Sequence, residues 1–307
     1  MQKQKNIRLL LILGGLITLL TLLPYFKVRK GLDIDKRQFT LNPETVITDV
    51  VLTSKKNANK LSYVQGVWQV NDTYELDPNM RDVFFSVLSQ LEIRKEIPQS
   101  QKDSLVQLIK TEGTEVKILN NSELVKHYFI WGDSELQTSF VLDEDDNGYM
   151  VHIPGYRSFV AGIFQVPTSD WRSRRAFTAM FTNLNSLKIK YPTDSIEFRY
   201  KNSFFEIVGM EADSTQLITS LENLLFLQTD QYLVEEELVK YEVEAVTKNT
   251  PMVLISTSKL SGATEYVRIF DTSKNQPYFI GLSPDSSFCL FNKKRLVKIL
   301  VKKSDFE

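Results

Sequence analysis

The chain has 307 residues, 42% of them hydrophobic, with 37 basic and 38 acidic side chains and a formal net charge of −1. That is enough apolar material for one large core or two smaller ones, and it excludes a disordered chain. Balanced charge excludes the basic excess of a general nucleic-acid binder, and a single cysteine, Cys289, excludes an internal disulfide or a cysteine-based metal cluster.

Residues 1–6 form a short basic tail, and an apolar run follows. From Leu9 to Phe26 there is no charged side chain. A helix needs about 20 mostly apolar residues to cross about 30 Å of hydrocarbon, and residues 7–26 supply that length, with Arg8 placed to reach the interface. The run ends in Leu22-Leu23-Pro24-Tyr25-Phe26 rather than at a small-residue cleavage site, which favours a retained anchor over a removed signal peptide. Lys and Arg flank both ends, so charge alone does not orient it. Residues 27–38 read as a juxtamembrane linker.

Beyond the linker, two segments read alike. Val50 and Leu52 match Leu187 and Ile189. Gly66-Val67-Trp68-Gln69-Val70 matches Ser203-Phe204-Phe205-Glu206-Ile207. Phe159, Val160 and Ile163 match Leu296, Val297 and Leu300. Every match spans the same 137 positions, as a tandem repeat requires. The pattern predicts one unit at 39–167, a connector at 168–175 and a second unit at 176–307.

In the first unit, strands are expected near Val46–Thr53, Lys60–Val64 and Val67–Val70. Asp77 and Pro78 start a helix that runs to Leu91, with Met80, Val83, Phe84, Val87, Leu88 and Leu91 on one face. A second helix near Gln101–Thr111 precedes strands near Glu115–Leu119, Lys126–Trp131, Gln137–Leu142 and Tyr149–Ile153. The second unit offers Ser214 as cap and Leu217, Leu221, Leu224 and Leu225 on the matching face. Its later strands fall near Met252–Thr257, Glu265–Asp271, Pro277–Gly281 and Phe288–Phe291. Strand runs broken by one or two helices predict an α+β fold: an N-terminal transmembrane helix, then two repeated, mainly antiparallel sheets with helices covering one face of each.

No nucleophile motif, phosphate-binding glycine loop or zinc-binding helix motif stands in the chain. His127 and His152 lie in expected strands without a partner at ligand spacing. Asp143, Asp145, Asn147 and Gly148 fit the first half of a calcium loop, but Pro154 stands where the closing glutamate belongs, and Asn-Gly marks a hairpin turn. Cys289, in Phe288-Cys289-Leu290-Phe291, reads as a small core residue. No catalytic residue, cofactor or metal is expected. Trp171, Arg172, Arg174 and Arg175 form the cluster suited to a partner contact, because Trp and Arg dominate interface hot spots. The alternative is that Trp171 wedges between the units and Asp170 pairs an arginine. The C-terminal run of Lys293, Lys294, Arg295, Lys298, Lys302 and Lys303 alternates with apolar residues, as in an amphipathic surface helix or a final strand, with docking on anionic lipid as the functional alternative.

The apolar N-terminal helix, Phe39, the strands ending in Gly66-Val67-Trp68-Gln69-Val70, the Asp77–Leu91 helix and Trp171-Arg172-Ser173-Arg174 together resemble a bacterial family of unknown function, number four thousand three hundred and forty. The resemblance implies an anchored protein with its main domain outside the cytoplasm, in the periplasm. It also implies an accessory role beside transporter components similar to the gliding-motility ABC system, and it supplies no catalytic residues. The expected partners are membrane lipid, through the N-terminal helix, and a membrane protein, with no nucleic acid. A non-enzymatic binding or scaffold protein is the reading carried forward, against an envelope-polymer hydrolase or a structural spacer.

Overall fold

A computed structural model describes residues 12–18, 34–156, 159–273 and 275–307. The expected tail, the rest of the 7–26 run and most of the 27–38 linker lie outside the described residues. Residues 12–18 are helical, with Ile12, Leu13, Leu16 and Ile17 exposed. Among the described residues no helix is long and apolar enough to cross a membrane.

The first unit runs β1 (Asp49–Thr53), β2 (Ala58–Val64), β3 (Val67–Val70), β4 (Tyr74–Glu75), α1 (Pro78–Gln90), β5 (Glu92–Glu96), α2 (Gln99–Glu112), β6 (Thr114–Asn120), β7 (Glu123–Asp133), β8 (Thr138–Leu142) and β9 (Gly148–His152). A 3-10 turn (Val160–Gln165) and α3 (Thr168–Trp171) lead to the second unit. That unit runs β10 (Leu184–Lys190), β11 (Ser195–Lys201), β12 (Phe204–Ile207), α4 (Ser214–Leu225), β13 (Gln231–Tyr232), α5 (Glu235–Lys240), α6 (Val243–Thr247), β14 (Val253–Lys259), β15 (Thr264–Phe270), β16 (Tyr278–Leu282), β17 (Phe288–Asn292) and α7 (Lys293–Ile299).

The sheets have orders β4-β3-β2-β1-β6-β7-β8-β9-β5 and β12-β11-β10-β14-β15-β16-β17-β13. The two orders are the same except that β4 covers β3 in the first, whereas β12 is an uncovered edge in the second. Neighbouring strands pair antiparallel throughout, for example Val50↔Leu61 and Leu187↔Phe198. The hairpin after β2 turns through Gln65 and Gly66, both at positive φ, and Asn202 and Ser203 make the same turn after β11.

The apolar stripe of α1 lies where its spacing places it, except that Val83, expected on the same face, is 53% exposed. Phe84 and Leu88 are fully buried against Val50, Leu52, Leu61, Val116 and Ile118. Asp77 caps the helix by accepting from the main-chain N–H groups of Asn79 and Met80. In α4 the stripe of Leu217, Leu221, Leu224 and Leu225 does the same work. The cap, however, is Asp213, which accepts from Gln216 N at 2.9 Å, and not Ser214. The helix starts one residue earlier relative to its leucines than α1 does, so the carboxylate sits where the free N–H groups are.

Two other expectations are corrected. Helices cover both faces of each sheet, not one. Along β7, Tyr128 and Ile130 join the α1 side, while Phe129 and Trp131 pack beneath α2 with Ile97, Ile109 and Leu142. In the second unit, α5 and α6 cover the corresponding opposite face through Val243, Ile280 and Leu290. The spacing between units also drifts. It is 137 between β2 and β11, but β6 and β14 correspond at 139, since Leu52 pairs with Val116 and Ile189 with Ile255. By β9 and β17 it is 140. The Phe159–Ile163 and Leu296–Leu300 match is therefore coincidental: Val160 is 4% exposed and Val297 61%.

Candidate functional site

After α3 the connector runs extended and makes isolated β-bridges at Arg172 and Arg175. Asp77 N donates to Trp171 O at 2.9 Å and Ser173 N donates to Glu75 O at 2.7 Å, so residues 171–173 pair with the chain just after β4. Next, Ala176 N donates to Leu227 O and Thr229 N donates to Arg174 O, both at 2.8 Å. One extended segment thus carries main-chain bonds to both units.

Arg172 locks this joint. Its guanidinium carbon lies 3.7 Å from the ring centroids of both Tyr74, in the first unit, and Tyr232, in the second. Its Nη2 is ion-paired with Asp285 and its Nη1 donates to Ser287 Oγ at 3.1 Å. A planar cation between two rings, with a fork left for a carboxylate, is a geometry that arginine fills and lysine does not. The Tyr232 hydroxyl donates to Ser173 O at 3.1 Å, closing the same joint from the other side.

Titratable groups at the joint are pushed away from neutrality. Partial burial alone raises the Asp285 carboxyl, but donation from Ser283 and Ser287 and the charge of Arg172 outweigh it and hold the group below its ordinary value of 3.8. Burial, with smaller contributions from Cys289 and Asp285, lifts Tyr232 to about 12 against the favourable charge of Arg172. Glu265 resists burial in the same way: Thr178 and Lys259 keep it below its ordinary value. A cleft of about 330 Å³ opens here, lined in part by Tyr74, Arg172, Arg175, Tyr232, Glu265 and Asp285. At its rim the Thr178 hydroxyl touches both Glu265 and Lys259. Both the hydroxyl and the ammonium are aimed at the carboxylate, so the trio pins the loop after the connector to β14 and β15.

A scan against protein-family models, a search of the curated proteins and a search of the solved structures each give no match. The site therefore rests on its own geometry.

The four connector residues have different fates. Trp171 is fully buried in the first core, 5.2 Å from Phe84 in an edge-on contact, with its indole N–H on Val166 O at 3.2 Å. It does not wedge between the units, and a partner reaches no part of it. Arg172 is 8% exposed and pairs with Asp285, not Asp170. Arg175 is half-buried, 5.7 Å from the Phe226 ring. Arg174 has an exposed side chain. The cluster is thus chiefly a fastening, and its exposed margin is Arg174.

The other sequence candidates also have local partners. His127 bridges Glu115 at 2.9 Å and Glu144 at 3.1 Å on the α2 side of the first sheet, and His152 Nδ1 lies 3.3 Å from Glu92 O. Glu115 is partly buried, yet Lys117 and His127 hold its carboxyl low. Asp143 ties its own hairpin by accepting from Asp145 N, Asn147 N and Asn147 Nδ2. Among the described residues no group of three metal-ligating side chains comes together. Cys289 is buried and its thiol is pushed up by desolvation. Sequence reasoning missed Tyr74, Tyr232 and Asp285, because nothing local marks a residue that meets its partner across the chain.

Proposed function

We propose that this chain is a non-enzymatic, membrane-anchored binding or scaffold protein, an accessory of a bacterial ABC-type transporter or envelope complex. Its anchor is residues 7–26 and its two units stand outside the cytoplasm as one stiff body. The observation that carries this reading is the joint. An extended segment bonded to both units and an arginine clamped between one aromatic ring from each fasten the units together, which suits holding a partner at a fixed distance from the bilayer. The exposed apolar side chains of residues 12–18 suit a lipid-facing helix.

The test is fractionation of cells expressing the intact chain, followed by chemical crosslinking in isolated membranes. The expected result is retention in the membrane after alkaline washing, release on deletion of residues 7–26, and a crosslinked membrane protein that co-purifies. Full-length, unprocessed chain in the detergent-free soluble fraction would overturn the anchor.

A further inference from the structure

The two units differ most where their sheets are covered on the face opposite α1 and α4. In the first unit that cover is one uninterrupted helix, α2. In the second it is broken in two. Helix α5 stops at Tyr241, Glu242 takes a left-handed conformation with φ of 52°, and α6 restarts at Val243. An open apolar groove of about 760 Å³ lies at the break, lined by Leu238, Val239, Val243, Ala245 and Phe288. Val239 stands 83% exposed beside it. A side chain of this kind on a helix normally turns inward, and here it borders an unfilled concave surface.

The groove's rim has a definite sign. Residues 235–248 carry five glutamates, Glu235, Glu236, Glu237, Glu242 and Glu244, against two lysines, Lys240 and Lys248. Glu242, Glu244 and Lys248 line the groove itself, with Lys248 ion-paired to Glu244 at 2.8 Å, so the lining keeps a net negative charge through Glu242. Four of the five are exposed, at positions 235, 236, 242 and 244. An apolar trough with an acidic margin matches one recurring recognition mode, in which an amphipathic helix lays its apolar face into a groove and its flanking charges meet the rim. Complementarity requires those flanking charges to be basic.

We propose that the groove between α5 and α6 is a docking site for a basic amphipathic helix of a partner protein. The apolar face of that helix would cover Val239, Ala245 and Phe288, and its Lys or Arg residues would face Glu242 and Glu244. This goes beyond the anchored-scaffold reading and does not depend on it, because the groove is complete within the second unit.

The test titrates a labelled amphipathic Leu/Lys peptide into the purified full chain. Controls are a Leu/Glu peptide of the same apolar spacing and a Leu/Lys peptide of the same composition with the spacing scrambled. The expected result is binding of the first peptide alone, weakening as salt is raised. Val239→Asp is expected to reduce affinity about tenfold, as removal of one apolar anchor does, and Glu244→Lys to reduce it less and to flatten the salt dependence. Both positions are solvent-facing, so circular dichroism should stay unchanged. Equal binding of the scrambled or acidic peptide, or full affinity in Val239→Asp, would overturn the proposal. So would concentration-dependent dimerisation that Val239→Asp abolishes, which would assign the groove to a second copy. Binding of phosphatidylcholine vesicles through Val239 would assign it to lipid and overturn the proposal equally.

Discussion

The two units share a strand order and differ in how their cores are filled. The first is aromatic: Phe84 packs edge-on against Phe164 at 5.4 Å and Trp171 at 5.2 Å, and Phe39 meets Tyr128 at 5.5 Å. The second buries rings too, Phe177, Phe198, Phe279 and Phe291 among them, but disperses them around the aliphatic side chains of Leu187, Ile189, Leu221, Leu224, Ile255 and Val267. The same topology is thus reached by two packings, as expected when volume and patterning decide the fold and detailed complementarity adds the remainder. The first unit also takes Trp171 from the connector into its core, so the strap between the units begins as part of one of them.

The comparison breaks most sharply at the centre of each core. Phe84→Ala is expected to cost about 4 kcal/mol and Leu221→Ala about 3 kcal/mol, because the larger ring leaves the larger void. Thermal unfolding of the full chain checks this, and both variants should still melt in one step if the units act as a single body. Arg172→Ala comes next, at about 2 kcal/mol. It removes both ring contacts and strips Asp285 of its partner, but Asp285 keeps part of its surface in water, which limits the loss. Calorimetry should then resolve two transitions in place of one. Arg172→Lys should behave nearly as badly, since an ammonium does not stack between two rings.

Acid titration sharpens the same point with a smaller effect. Because the folded protein holds Asp285 below its ordinary value of 3.8, its contribution is fully present above that value and is lost as pH falls through the lower folded one. The Arg172→Ala chain should therefore lose less stability than the parent over that acid range, as denaturant melts at stepped pH would show. The smallest expected effect is a gain. Ser203 occupies a left-handed position that its counterpart Gly66 fills without strain, so Ser203→Gly should stabilise the second unit by about 0.5–1 kcal/mol. A loss of stability there would mean that the Ser203 side chain makes a contribution its backbone geometry does not reveal.

Much of the fold is legible from local pattern. The hydrophobic stripe of α1, its Asp77 cap and the four residues of β3 stand where alternation and capping place them. The outer strands β5 and β13 do not. Glu92-Ile93-Arg94-Lys95-Glu96 is four-fifths charged and has no strand signature, and it is recruited to the sheet edge by pairing with β9. The broken cover helix is hidden for the opposite reason. The stretch from Glu235 to Thr247 contains no glycine or proline to announce an interruption. At the joint, residue type is visible and its use is not. Tryptophan and arginine in a connector suggest an exposed contact, whereas the fold turns Trp171 inward and spends Arg172 on Tyr74, Tyr232 and Asp285. Partners separated by about a hundred residues leave no mark in any local window.

The missing counterpart of β4 has a consequence for colloidal behaviour. A strand with nothing beyond it offers unpaired main-chain donors and acceptors as a template for another molecule, and proteins blunt such templates with brevity and charge. β12 uses both devices, being four residues long with Glu206 set 3.5 Å from Lys201 of the neighbouring strand. Phe204, 76% exposed at its first position, works against them. At high concentration, intermolecular cross-strand association should begin from this margin, and a lysine at position 204 should delay the onset of turbidity without altering the melt.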